Sequence, residues 1–422
     1  LTRKSLPKNS DWPNRSDYQL AFAVIAVSAI VACPGCSSFS PFNRADEDYQ
    51  ATKRAINGQY GNGVYRPEGA AAEENDSIKL FDRLGWSGRA RKDVEGSRRE
   101  YALGDQAFAQ AKELEGEKRR EAFVTAANHF KKAAENWKSS QMEQDALLMQ
   151  AESQFFAEDY YRAEQTYAKL IKEYPRNPYL DQIDSRRFEI ADYWLQYHSA
   201  KPASFATINF SDKTRPWNDT GGHGKRVLEN LRLDNPIGKL SDDATMRLAV
   251  NYFEKADYES AASTFGELRM TYPDSEHQFN AQFLELQSLL LSYLGPDYTD
   301  TPLLEADKRV KAIIRLFPTE AASKQLELRE AATKIKFHMA EREWSSGQYR
   351  YLQGENLAAK MYFQKILDEY PDTPFAEEAQ KLVTELEGKP DRPPQRFRPL
   401  VKLFRAEADQ RQWKRPGFDD EQ

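Results

Sequence analysis

The sequence predicts an all-α fold of stacked helix pairs, and three observations predict it. A pattern of small, large and proline residues recurs along the chain. A second small residue recurs at a fixed distance before the first. The 422 residues are also hydrophilic on average, with a mean hydropathy of −0.80, as expected when each helix buries only one stripe.

The pattern is clearest from Ala359, followed by Phe363 at +4, Ile366 at +7, Tyr370 at +11 and Pro371 at +12. Ala261 gives Phe265, Leu268, Tyr272 and Pro273 at the same offsets, and Ala163 gives Tyr167, Leu170, Tyr174 and Pro175. Ala306 gives Val310, Ile313, Phe317 and Pro318. A weaker first copy starts at Ala126 with Phe130, Ala133 and Trp137, but Lys138 stands where the proline should be. These offsets place the large residues on one helix stripe, the alanine admits a neighbouring helix, and the proline stops the helix. A-x3-F with a later proline is the second half of a tetratricopeptide (TPR) unit, a helix–turn–helix of about 34 residues. The first half predicts a small residue 12 before the anchor, and Ala151, Ala249 and Gly347 stand there. The fold expected is a TPR-like α-solenoid of about five repeats, with an irregular insert and flexible N- and C-terminal extensions.

Residues 1–32 read as an export signal. Arg3, Lys4, Lys8 and Arg15 precede an apolar run of 13 residues, 20–32, which is short for a membrane span of ~20 residues. Ile30-Val31-Ala32-Cys33 resembles the acylation box of bacterial lipoproteins, so Cys33 is the expected lipidation site, with Cys36 as the rival. These are the two cysteines of the chain, and a CxxC redox or metal site would need a folded context absent around them. Residues 33–97 are then the anchor and a linker rich in Gly, Ala, Asn and Glu. Some 50 flexible residues would span a root-mean-square distance of ~40 Å, enough to hold a folded domain off a membrane.

Residues 98–200 hold repeats 1 and 2. Residues 201–241 contain Pro202, Pro216, Gly221, Gly222, Gly224, Pro236 and Gly238, and are read as an irregular insert that ends where Asp242 and Asp243 cap the next helix. Residues 242–388 hold repeats 3 to 5, closed by a helix with an outward face of Glu377, Glu378, Lys381 and Glu385. In the tail, 389–422, nine Lys/Arg and three Asp/Glu lie between positions 389 and 415, with Phe397, Leu400, Val401, Leu403, Phe404 and Trp413 among them. Two readings stand: a solvated, disordered end, or a basic amphipathic segment for acidic lipids or a partner.

The net charge of −6 argues against nucleic-acid binding through bulk electrostatics. The five histidines show no ligand spacing, and Gly221-Gly222-His223-Gly224-Lys225 fails as a phosphate loop, with Asp219 and Arg226 where glycine and Ser/Thr are needed. The expectation is therefore no enzyme, no metal, no small-molecule substrate and no cofactor beyond a covalent lipid. Binding is expected in the groove lined by the first helix of each pair, at −18, −15, −11 and −8 from the anchor. The candidates are Leu148, Glu152 and Phe155, then Met246 and Phe253, then Trp344, Gln348 and Tyr351. Aromatics flanked by acids and amides suit an extended or partly helical peptide. The other reading is that Phe155 and Phe253 pack between repeats, which favours Trp344 and Tyr351, since Gly347 and Gln348 make their surface less apolar.

Residues 159–178, 257–275 and above all 316–376, with Gly347-Gln348-Tyr349-Arg350-Tyr351 before the last anchor, resemble the BamD (also ComL or YfiO) family of outer-membrane assembly lipoproteins. The resemblance covers roughly residues 98–388 without the insert. It implies a periplasmic scaffold, lipid-anchored in the outer membrane, that binds unfolded β-barrel proteins around Leu148 and Phe155. It also implies that a BamA-like barrel partner docks on the surfaces of residues 316–351. A TPR lipoprotein recruiting cell-wall or other envelope proteins is the alternative.

Overall fold

The computed structural model describes residues 93–200, 209 and 211–391. The export signal, Cys33, Cys36, the linker up to residue 92, residues 201–208 and 210 of the insert and nearly all of the tail lie outside these residues, while residues 94–97 of the expected linker belong to the first helix. Among the described residues the secondary structure is helical, with no strand. The chain divides into two compact units, the first ending at Ser288 and the second beginning at Leu289.

The first unit opens with α1 (Val94–Lys112) and α2 (Gly116–Asn136), followed by α3 (Gln141–Phe156) and α4 (Tyr160–Glu173). Next come α5 (Leu180–Ala200) and α6 (Thr220–Asp234), then α7 (Ser241–Glu254) and α8 (Tyr258–Thr271). The division falls inside α9 (Gln278–Ser292). The second unit holds α10 (Thr301–Leu316), the short α11 (Pro318–Ser323), α12 (Gln325–Leu352), α13 (Asn356–Glu369) and α14 (Phe375–Leu386).

The repeat pattern becomes packing directly. Every anchor alanine (126, 163, 261, 306 and 359) is fully buried, and so are Phe130, Tyr167, Phe265 and Phe363 at +4. The aromatic at +11 is the C-cap: Tyr174, Tyr272, Phe317 and Tyr370 each stand one residue past their helix, and the proline comes next. The small residue of the first helix is a steric requirement. A Cβ on Gly347 would lie 2.6 Å from the Phe363 ring, and one on Gly104 would lie 2.9 Å from Phe130. Between the two helices of a pair, the residue five before the anchor takes the left-handed conformation in three repeats, as Glu158 (φ 60), Ala256 (φ 58) and Gly354 (φ 74). Aspartates start the second helix in two of these pairs: Asp159 accepts from the Arg162 amide and Asp257 from the Ser260 amide.

The insert is the main correction. Residues 220–234, expected to be irregular, form α6, and α6 packs along α5. Its glycines are not turn residues. A Cβ on Gly221 would stand 2.8 Å from the His198 ring, and one on Gly224 would stand 2.9 Å from the Ala191 carbonyl oxygen, so they let the two backbones close together. Asp219, at φ 45, caps the helix by accepting from the Gly222 amide at 2.9 Å. With Gly224 as anchor, Leu228, Leu231, Asn235 and Pro236 fall at +4, +7, +11 and +12, and Val227, Leu228 and Leu231 are buried. A further helix pair therefore sits in what reads as an insertion. The segment before it is held at its described end: Trp194 Nε1 donates to the Thr214 carbonyl at 2.8 Å, and Asn209 bonds to Asp212. Asp242 and Asp243 are not caps either, since α7 begins at Ser241 and both lie in its first turn.

Candidate functional site

On α3 the expected groove positions are closed. Glu152 is 1 % exposed and accepts from Tyr167 OH on α4 at 2.5 Å and from the Arg186 guanidinium on α5 at 3.3 Å. Arg186 also lies over the Phe155 ring at 4.5 Å and the Phe156 ring at 5.3 Å. Leu148 and Phe155 are equally buried. Asp145 accepts from Tyr179 OH at 2.9 Å, and burial pushes its carboxyl up to about 6, against the hydrogen bonds from Tyr179 and Gln141. Leu148, Glu152 and Phe155 are thus interior residues here, because Tyr179 and Arg186 come across α3 from the next helix and the turn before it. Arg186 carries no repeat spacing that would reveal it in the sequence.

Met246 and Phe253 on α7 are buried too, Phe253 stacking edge-on against Tyr258 with ring centroids 5.4 Å apart. At the start of the same helix, His277 and Asp243 meet at 2.7 Å, and that hydrogen bond raises the histidine's pKa above its usual value. With Glu276 they are, among the described residues, the grouping of His, Asp and Glu ligand atoms within 4.8 Å of one another. The direct His277–Asp243 bond already uses two of its three members.

On α12 the same register stays half-open. Trp344, Gln348 and Tyr351 are all partly exposed. Trp344 packs against Phe363 and Phe375 at centroid distances of 5.3 and 5.9 Å, and Tyr351 OH donates to Glu385 at 3.0 Å. Gly347 between them is buried under Phe363. Two further surfaces lie outside the groove register, the first of them within the segment 316–351 that the resemblance singled out. Leu316 and Leu326, flanking α11, are more than half exposed. A cleft of about 300 Å³ between α2, α3 and α4 is lined by Lys131, Lys138 and Lys169 together with Glu135, Glu143, Gln150 and Gln165.

These surfaces can hold a polypeptide: aromatic faces and apolar side chains for its apolar residues, amides and lysines for its backbone and carboxylates. Among the described residues no helix is long and apolar enough to cross a membrane.

Two family models match the chain. Residues 145–177 match a tetratricopeptide repeat, which corresponds to α3, α4 and the turn after them. Residues 222–389 match YfiO, described as an outer membrane lipoprotein; that span runs from the start of α6 past α14 and covers fewer than half of the 422 residues. No curated protein matches the chain. On the helix-pair fold described above, residues 222–389 are thus similar to the YfiO outer membrane lipoprotein family and residues 145–177 to a tetratricopeptide repeat.

Proposed function

We infer that the chain is a periplasmic scaffold in the assembly of outer-membrane β-barrel proteins, tethered by a lipid on Cys33. The observation that carries this reading is the YfiO match over the segment whose α12 keeps its groove residues half-open. A BamA-like partner docks on the second unit, where Leu316, Leu326 and the Trp344–Tyr351 surface offer apolar and aromatic anchors of the kind that dominate protein interfaces. Because Leu148 and Phe155 are interior, unfolded barrel segments fall instead to the cleft of Lys131, Lys138 and Lys169. An extended strand would offer these lysines and glutamines its unpaired carbonyls, and the carboxylates of Glu135 and Glu143 its unpaired amides. The scaffold takes no part in chemistry and acts by holding its partners together.

Photo-crosslinking from membranes tests this. A probe at Leu326, 68 % exposed, should capture a barrel protein with periplasmic domains, and a probe at Lys138 should capture unfolded barrel chains. Recovery of cell-wall enzymes or soluble envelope proteins alone would replace the reading with that of a general TPR adaptor.

A further inference from the structure

The hairpin of α12 and α13 exposes apolar side chains that the fold does not use. Tyr349 is 59 % exposed, Leu352 77 %, Leu357 53 % and Met361 68 %. Leu357 and Met361 lie one turn apart on α13, about 6 Å along the axis, on the side away from buried Ala359 and Phe363. The chain returns to this place. After α14, Lys389 pairs with Glu385 at 2.7 Å, the Pro390 carbonyl accepts from Asn356 Nδ2 at 2.7 Å, and the Asp391 carbonyl accepts from the Leu357 amide at 3.5 Å. The polypeptide that continues from Asp391 therefore starts beside Leu357.

The sequence after Asp391 fits this surface. Phe397, Leu400, Val401 and Phe404 stand at i, i+3, i+4 and i+7, the spacing of one helix stripe, with Arg396, Arg398, Lys402 and Arg405 between and around them and Pro399 in what would be the first turn, where a helix tolerates it. Phe397 lies six positions beyond Asp391, a reach of up to ~20 Å, several times the distance from Leu357 to Met361. A tether this short gives an effective concentration of about millimolar, so an apolar stripe of modest intrinsic affinity occupies the surface. We propose that residues 397–404 lay this stripe over Leu357 and Met361 of the same molecule, covering the outer face of α13. The covering is independent of which partner the scaffold serves, and it adds a segment that such a partner would have to displace to reach this face.

The test uses the purified full chain with a photo-crosslinking residue at Gln364, exposed one turn beyond Met361. Light and heavy isotope-labelled chains are mixed before irradiation. Crosslinks should join Gln364 to peptides from 392–404 of the same isotope. Phe397→Ser should lower their yield roughly tenfold, and Met361→Ser should act in the same direction. Mixed-isotope crosslinks would overturn the proposal in favour of a second copy covering the face. Tail crosslinks indifferent to both variants, or no tail crosslinks at all, would also overturn it. So would a tail that binds anionic phosphatidylglycerol vesicles while giving no crosslink without them.

Discussion

Helices α3 and α12 carry the same register, yet one is sealed and the other half-open. At −18, −15, −11 and −8 from their anchors stand Asp145, Leu148, Glu152 and Phe155 on α3, and Glu341, Trp344, Gln348 and Tyr351 on α12. The difference comes from the segment after each pair. Tyr179 and Arg186, before and within α5, reach across α3 and bond to Asp145 and Glu152. In the second unit, α14 meets α12 through Phe375 and Glu385, which leave Trp344, Gln348 and Tyr351 partly in water. A groove position in a repeat protein is thus defined by the helix that comes next as much as by its own offset.

The largest test of this contrast sits at −11. Glu152→Ala leaves Arg186 buried without its Glu152 carboxylate and should destabilise the chain by about 3–5 kcal/mol in a denaturant titration. Gln348→Ala, at the same register in half-open surroundings, should stay within about 0.5 kcal/mol. Equal losses at both positions would erase the distinction.

A pH series sharpens it at −18. Asp145 holds its proton up to about 6 in the fold, whereas an unfolded aspartate releases it at ~3.9. Its contribution is therefore most favourable below about pH 4, declines as pH rises through 6 by up to about 3 kcal/mol, and is level above that. Asp145→Asn can still accept from Tyr179 and should remove this slope, leaving the variant more stable than the parent at neutral pH. A parallel pH profile in parent and variant would show that Asp145 does not titrate abnormally.

Smaller effects probe the added pair and the open surface. Gly224→Ala pushes a methyl group against the Ala191 carbonyl oxygen; set against a gain of about 1 kcal/mol in helix propensity, a net loss of about 1–2 kcal/mol is expected in thermal unfolding. Tyr351→Phe removes only an exposed bond to Glu385 and should change stability by less than about 0.5 kcal/mol in the same measurement.

The helix pairs were legible because their rule is local: small, large, aromatic and proline at fixed offsets specify a stripe and a stop. Helix α6 was hidden because its copy of the rule is written with Gly224, Leu228, Leu231 and Asn235, and because its glycines also spell a loop. Packing of Phe155 between repeats was one of two readings the sequence left open; the ion pair that seals α3 was not legible, since Arg186 meets Glu152 from 34 residues away along the chain. The packing of Gly347 against Phe363 was implied by the repeat, but how much of Trp344 remains exposed depends on Phe375, beyond the anchor repeat.

The tight seam between α5 and α6 also bears on how the chain can be divided. Besides the glycine contacts, Arg187 joins Asp234 at 2.8 Å, Asn235 joins Asp184 at 2.8 Å and Lys239 joins Asp181 at 2.8 Å. All of these contacts link opposite sides of the segment 201–219. A chain severed there would keep two fragments that recognise each other without a covalent bond, which makes this segment the natural place to build a split reporter or to graft a foreign domain.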